Sequence, residues 1–234
     1  MEVDELNLHV WRGSGGYVAR PVVPTGFAAL DAYLPGGGWP QGALIEVLID
    51  RYGVGELSLL MPALAALTRP NPVQSKKWVA WIAPPFIPYA PALQRHDVDL
   101  DRVLLIHPSA DGKDAQWAVE QVLRSGSSVG VLAWLATADD IVLRRLQLAA
   151  EEQNCWTVLF RPFAAAPSRS PAALRIRLLQ HESVARVEIL KCRGAQPAVV
   201  DVAELPANWL RYLAAQESSD SIGSRMSHVG PGAT

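Results

Sequence analysis

The sequence predicts an α/β fold with a doubly wound, mostly parallel sheet and an antiparallel C-terminal hairpin on the sheet edge. Strand-like and helix-like segments alternate between residues 43 and 160. The strand segments are continuously apolar, as in "VGVLAWLA", which is typical of strands that a parallel sheet buries on both faces. After Pro167, "LRIRLL" and "VARVEIL" alternate polar and apolar residues, which predicts the hairpin.

Local signals predict the elements in order. A short helix is expected over 27–34, because Pro35 and three glycines close it. A buried strand follows over 43–49. The next helix covers 55–67, where Pro62 either kinks the helix or marks its true start. Further strands are predicted at 78–83, 102–108, 129–136 and 155–160, and further helices at 88–98, 113–126 and 137–153.

Two of these helices carry terminal signals. Gly126 is placed to cap the C-terminus of the first, and Thr137 with Asp140 forms a T-x-x-D start for the second. The domain organisation follows from these elements. Residues 1–20 are predicted to form a flexible, glycine-rich arm, and residues 21–213 are predicted to form a single RecA-like core with its hairpin at about 172–193. The Ser/Gly-rich residues 214–234 are predicted to be a disordered tail.

Composition argues against a membrane-spanning protein, a secreted protein and a disulfide-rich protein. The 234 residues suit one sizeable domain, and a net charge of −2 gives no bulk signal for nucleic acid or an anionic membrane. No stretch approaches ~18 uninterrupted apolar residues, and no signal peptide is present, so a soluble, cytoplasmic protein is expected. Cys155 and Cys192 stand apart, which fits a reducing compartment and argues against a disulfide framework or a cysteine-based zinc site.

The stretch "IEVLIDRYGVGELSLLMPAL" has the outline of a phosphate-binding turn between a strand and a helix. Compared with G-x-x-x-x-G-K-[ST], Asp50 takes the place of the first glycine, and Gly53 and Gly55 keep a glycine-containing turn. Glu56 replaces the lysine, and Leu57 replaces the hydroxyl residue. One charge pair at ~4 Å is worth about 4 kcal/mol at an effective dielectric constant of ~20, so a glutamate here repels phosphate. The turn is interpreted as vestigial and without a cofactor, with residual nucleotide binding as the alternative.

The segment "TGFAALDAYLPGGGWPQGALIEV" resembles the N-terminal part of the RecA recombinase core, which reads T-G-x-x-x-L-D-x-x-L-x-x-G-G-x-P-x-G before an apolar strand. "VDLDRVLLIHP" and "AVEQVLRSGSSVGVLAWLA" fall at the spacing of later landmarks, so the resemblance covers residues 24–165. More narrowly, "LPGGGWP" with "GEL" and "PALA" is similar to the ImuA family of translesion-synthesis accessory proteins. That family is itself similar to the division inhibitor SulA.

The resemblance implies a RecA-like fold in which the catalytic machinery is lost. Trp134 stands where recombinases have the aspartate that supports Mg²⁺, and Ala83, Pro84 and Pro85 stand where their catalytic glutamate follows a strand. No base is therefore expected to activate water, and no metal site or enzymatic activity is predicted.

The leading hypothesis is a non-catalytic RecA-like adaptor in DNA-damage-induced translesion synthesis, the mutagenic part of the SOS response. The resemblance implies RecA, ImuB and an error-prone C-family polymerase as its partners. Weak contact with single-stranded DNA is an additional hypothesis, and no membrane contact is expected. The alternatives are a SulA-like inhibitor that binds the division protein FtsZ and a residual DNA-dependent ATPase.

Candidate partner-binding residues come from two patterns. Trp11 and Trp39 flank glycine-rich stretches, a placement that favours an exposed binding surface. Basic residues cluster around the predicted hairpin, either as a solvated edge or as a face that contacts a partner or DNA: Arg175, Arg177, Arg186, Lys191 and Arg193. The four tryptophans Trp78, Trp81, Trp117 and Trp134 are expected in or near the core.

Overall fold

A computed structural model describes residues 21–53, 55–70, 77–108, 112–181 and 184–202. Its strands are β1 (Val22–Val23), β2 (Trp39–Pro40), β3 (Ala43–Ile49), β4 (Trp78–Ile82), β5 (Val103–Ile106), β6 (Ser128–Trp134), β7 (Trp156–Pro162), β8 (Leu174–His181), β9 (Val184–Cys192) and β10 (Ala198–Val202). Its helices are α1 (Ala28–Asp31), α2 (Met61–Thr68), α3 (Ala90–Arg95), α4 (Gly112–Ser125) and α5 (Asp140–Glu152). Three short 3-10 turns cover Ser58–Leu60, Leu100–Arg102 and Phe163–Ala165.

In the described part of the chain, the main sheet has eight strands in the order β10-β9-β8-β3-β7-β6-β4-β5. The six strands from β8 to β5 run parallel, and β9 runs antiparallel to both of its neighbours. The predicted mixed α/β class with a mostly parallel sheet and an antiparallel hairpin is therefore confirmed. The sequence analysis did not predict β10, which follows the hairpin and forms the edge of the sheet beside β9.

Each face of the sheet has its own hydrophobic core. One core contains buried side chains of α1, α2 and α3, and the other lies beneath α4 and α5. Every residue of β3 is buried, because this strand is central and covered on both faces. Connections from β4 and β6 run in opposite directions, outward to β5 and inward to β7. Ligand sites of open α/β sheets lie at such a switch point, beyond the carboxyl ends of the strands.

Helix ends agree with the local signals in two cases and differ in one. Pro62 lies in the first turn of α2, which confirms that it marks the helix start. Gly126 adopts φ +64° directly after α4, as its capping role requires. The predicted T-x-x-D start of α5 is wrong, since Asp139 is the N-cap residue and its carboxylate accepts a hydrogen bond from Val142 N at 2.8 Å.

The segment that resembles the recombinases packs against the helix after the glycine turn. Thr25 is buried, and its backbone N–H donates to Asp31 Oδ1 at 3.0 Å. Gly26 has φ +83°, and a Cβ atom there would lie 2.4 Å from Pro62 Cβ at the start of α2. Glycine is therefore required at position 26 both by the backbone angle and by the close approach.

Substitution Gly26→Ala should lower the free energy of unfolding by roughly 2–4 kcal/mol, because backbone strain and overpacking act together. The matched control is Gly37→Ala, since Gly37 has φ +75° but nothing within 4 Å of the added methyl group. The control should lose only about 1–2 kcal/mol, the strain of the left-handed conformation alone. Urea denaturation of both variants measures the difference, and equal losses would show that contact with Pro62 is unimportant.

The arm 1–20 and the tail 214–234 lie outside the described residues, so the structure does not test either prediction. Within the described ranges, no helix has the length and apolar character needed to cross a membrane.

Candidate functional site

The turn that resembles a phosphate loop lies at the carboxyl end of β3, in the middle of the sheet. Gly53 and Gly55 adopt φ +79° and +90°, so the left-handed backbone of a tight turn is retained. The chain then enters the 3-10 turn Ser58–Leu60 and α2. This location is the one that nucleotide-binding turns occupy in α/β folds.

The side chain of Glu56 is buried in this turn and is hydrogen-bonded to the turn's own backbone. Its side chain is 5% exposed, and its Oε1 accepts a hydrogen bond from Gly53 N at 3.0 Å. In a working phosphate loop, backbone N–H groups of this kind point at the phosphate oxygens. In this chain the Glu56 carboxylate accepts the hydrogen bond from Gly53 N instead. Its negative charge would repel a phosphate group at the same place.

The other two replaced positions are also occupied. Asp50, at the first-glycine position, accepts a hydrogen bond from Arg177 Nη2 at 3.0 Å. The Arg177 guanidinium also lies 3.6 Å from the centroid of the Phe163 ring. Leu57, at the hydroxyl position, packs against the hydrophobic core. The Asp50–Arg177 pair is partly exposed and therefore adds little to stability.

Trp134 belongs to an aromatic ladder, which we define as Trp81, Trp134 and Phe160 on strands β4, β6 and β7. Trp134 is 6% exposed and stacks on Phe160 at 4.6 Å between centroids. Its ring is tilted against Trp81 at 5.9 Å. Among the described residues neither indole N–H has a hydrogen-bond partner, so ring packing holds this layer together. The prediction that Trp134 packs in the core is confirmed.

The position of the recombinase glutamate carries no acid. Ala83 adopts φ +54° and donates its backbone N–H to Ile106 O at 2.9 Å, and two prolines follow it. In the described ranges, no group of three or more His, Cys, Asp or Glu residues is placed to hold a metal ion. Burial raises the pKa of the Cys155 thiol to about 12 and that of Cys192 to about 11, which disfavours the nucleophilic thiolate.

Sequence reasoning missed a buried cluster of three charges on the central strands β3, β7 and β8. Glu46 on β3 is fully buried, and its carboxylate binds Arg161 Nη1 at 2.7 Å and Arg175 Nε at 2.5 Å. Arg175 also donates to three carbonyl groups of the loop between β7 and β8, those of Ala165, Ala166 and Ser168. The cluster therefore ties β3, β7 and β8 to this loop. A glutamate inside the apolar strand "ALIEVLI" was the signal that could have revealed it.

The structure corrects the predictions for two partner-binding residues, Trp39 and Arg175, and for one residue expected near the core, Trp117. Trp39 is fully buried, because β2 places its ring in the core rather than on a surface. Arg175 is buried by its pairing with Glu46, so it cannot form an exposed interface. Trp117 was expected near the core and is 65% exposed, since it lies on the outer side of α4. Trp11 lies outside the described residues.

Of the remaining basic residues, Arg186 pairs with an acid, whereas Lys191 and Arg193 make hydrogen bonds to backbone carbonyl groups. Arg186 binds Asp201 Oδ1 at 2.6 Å, and the hydrogen bond to this acid raises the pKa of Arg186. Lys191 donates to Ser170 O at 2.8 Å. Arg193 is exposed, and its backbone N–H binds Ala173 O at 2.8 Å.

Comparison with known proteins gives a match to one sequence and a match to one solved structure. The chain is 31% identical to the cell division inhibitor SulA of Edwardsiella piscicida over 143 residues, which cover 58% of this chain and 81% of that protein. The crystal structure of SulA from Pseudomonas aeruginosa matches 50% of this chain and 97% of that chain, with 27% identity and a TM-score of 0.41. No protein-family model matches the sequence.

Proposed function

Because the chain belongs to the family of the cell division inhibitor SulA, we propose that it is a non-catalytic inhibitor of bacterial cell division that binds FtsZ. The sequence similarity carries this proposal, since it extends over most of the length of the Edwardsiella protein. It favours the alternative from the sequence analysis over the translesion adaptor. A role in the SOS response to DNA damage, in the cytoplasm, is part of the same proposal.

The geometry of the glycine turn supports action without catalysis. The Glu56 carboxylate accepts a hydrogen bond from Gly53 N. Trp134 of the aromatic ladder stands at the position where the recombinase resemblance would place an aspartate that supports Mg²⁺. Because the protein's own side chains occupy both positions of this turn's site, we attribute inhibition to protein–protein contact. Binding FtsZ subunits without turnover would lower the concentration available for polymerisation by mass action.

Sedimentation of FtsZ polymers tests this function. Purified FtsZ is assembled with GTP, with and without the chain at equimolar concentration, and the pelleted fraction is measured. We expect the pellet to fall about twofold or more, as sequestration by a tight binder requires. The control is the same amount of heat-denatured chain. An unchanged pellet together with no binding of FtsZ to the immobilised chain would overturn the proposal.

The second candidate is a RecA-like adaptor of the ImuA type. The retained turn at Gly53 and Gly55 and the fit of Gly26 against Pro62 favour it, because they keep the frame that the recombinase resemblance implies. Size-exclusion chromatography with RecA and with ImuB tests it. A complex with either protein, combined with an unchanged FtsZ pellet, would replace the first proposal with this one.

A further inference from the structure

The loop after β4 presents three large apolar side chains to solvent. Phe86, Ile87 and Tyr89 are 68%, 83% and 62% exposed, and we call them the apolar knob. Aromatic side chains bury roughly 150–250 Å² each when fully covered, so Phe86 and Tyr89 alone expose on the order of 250 Å², and Ile87 adds to this area. Apolar patches of a few hundred Å² on a protein surface mark interaction sites more often than scattered single residues do.

Both ends of the knob are fixed to the fold. Ala83 N donates to Ile106 O at 2.9 Å at one end. At the other end, the Tyr89 carbonyl accepts hydrogen bonds from Ala92 N at 2.9 Å and Leu93 N at 3.3 Å at the start of α3. Prolines occupy positions 84, 85, 88 and 91 and fix φ along the segment. Because the loop is already restricted, little conformational entropy is lost when a partner covers it.

The knob lies where open α/β sheets usually bind their ligands. It begins at the carboxyl end of β4, where the connections from β4 and β6 diverge. Sites of open α/β sheets lie beyond the strand ends at this point. The nucleotide-like turn after β3 is filled by Glu56, whereas the knob after β4 remains uncovered in the described structure.

The charge pattern decides which kind of partner fits. No charged residue occurs between positions 83 and 94. Nucleic acid and anionic lipid surfaces require clustered cations, which this segment lacks. An uncharged segment that exposes aromatic and aliphatic side chains instead suits an apolar groove on a folded protein.

We propose that the apolar knob is the principal contact through which the chain binds its protein target, by inserting Phe86 and Ile87 into an apolar groove. The inference rests on the proposed function and takes FtsZ as that target. Tyr89 flanks the two inserted side chains and keeps its hydroxyl group at the rim.

The test compares two double variants. Phe86→Ala with Ile87→Ala removes the knob. Ile141→Ala with Leu148→Ala is the matched control, because those side chains on α5 are 69% and 66% exposed but lie on the opposite face of the sheet from α3. Binding to immobilised FtsZ and the sedimented polymer fraction are measured for both. Circular dichroism and urea denaturation verify folding, and Ile87→Asp serves as a single-site variant if the knob variant unfolds.

The knob variant should bind FtsZ roughly tenfold or more weakly, as truncation of central interface residues does, and should lose inhibition of assembly. The control variant should bind like the wild type. If the knob variant binds unchanged, or both variants lose affinity equally, this inference is overturned and the proposed function stands. If the wild type neither binds nor inhibits FtsZ, both are overturned. Loss of self-association alone in light scattering, with FtsZ binding intact, would also overturn the inference and assign the knob to a second copy.

Discussion

Replacing Glu46 with alanine should lower the free energy of unfolding by about 3–5 kcal/mol, because removing one partner of a buried ion pair leaves uncompensated charge. Two guanidinium groups, those of Arg161 and Arg175, would then lie in the interior without a carboxylate. Arg161 is the more vulnerable of the two, since its Nε has no partner among the described residues even in the wild type. Urea denaturation followed by tryptophan fluorescence measures the loss.

The matched control is Asp201→Ala, which removes an exposed acid from its pair with Arg186. Exposed pairs contribute about 0–1 kcal/mol, so this variant should unfold close to the wild type. Glu46→Gln should lie between the two, because its amide oxygen still accepts a hydrogen bond while the negative charge is gone. A loss below about 1 kcal/mol for Glu46→Ala would contradict the structural role assigned to the cluster.

Substitution Trp134→Asp should destabilise the protein by about 4 kcal/mol or more and should not create Mg²⁺-dependent nucleotide binding. Loss of a buried tryptophan ring alone costs about 3–5 kcal/mol, and the new carboxylate would be buried beside Trp81 and Phe160 without a partner. Denaturation gives the stability, and isothermal titration with ATP and Mg²⁺ gives the binding. Glu56 would still repel phosphate in this variant.

Two further substitutions separate the effect of losing the tryptophan ring from the effect of burying a carboxylate. Trp134→Phe keeps an apolar ring and should lose clearly less stability than Trp134→Asp. Trp117→Asp introduces the same carboxylate at a tryptophan that is 65% exposed, and it should change stability by no more than about 0.5 kcal/mol. Nucleotide binding by Trp134→Asp, or by the wild type, would contradict the view that this turn is closed to nucleotides.

The blocked turn and the exposed knob fit a single account of the chain. In the turn after β3, the Glu56 carboxylate accepts a hydrogen bond from Gly53 N, and on β6 Trp134 stacks on Phe160. The neighbouring strand β4 ends in an uncovered apolar loop that is held at both ends.

Much of the fold was predictable because its signals are local. Buried strands such as β3 are continuous apolar runs, and Pro62 and Gly126 restrict the backbone at helix ends whatever packs around them. β10 was missed, since "AVVDV" is short and its place in the sheet depends on pairing with β9. The start of α5 was misplaced by two residues because both Thr137 and Asp139 are good capping residues.

The sequence by itself determined that a glutamate, Glu56, stands where a phosphate-binding loop would carry its lysine. Only the tertiary structure decided where the charges and rings lie. Arg175 reads as an exposed strand residue until Glu46, 129 positions away, is found beside it. Trp39 is buried and Trp117 exposed for the same reason: burial depends on which elements pack together, and neighbouring residues in the chain do not encode that packing.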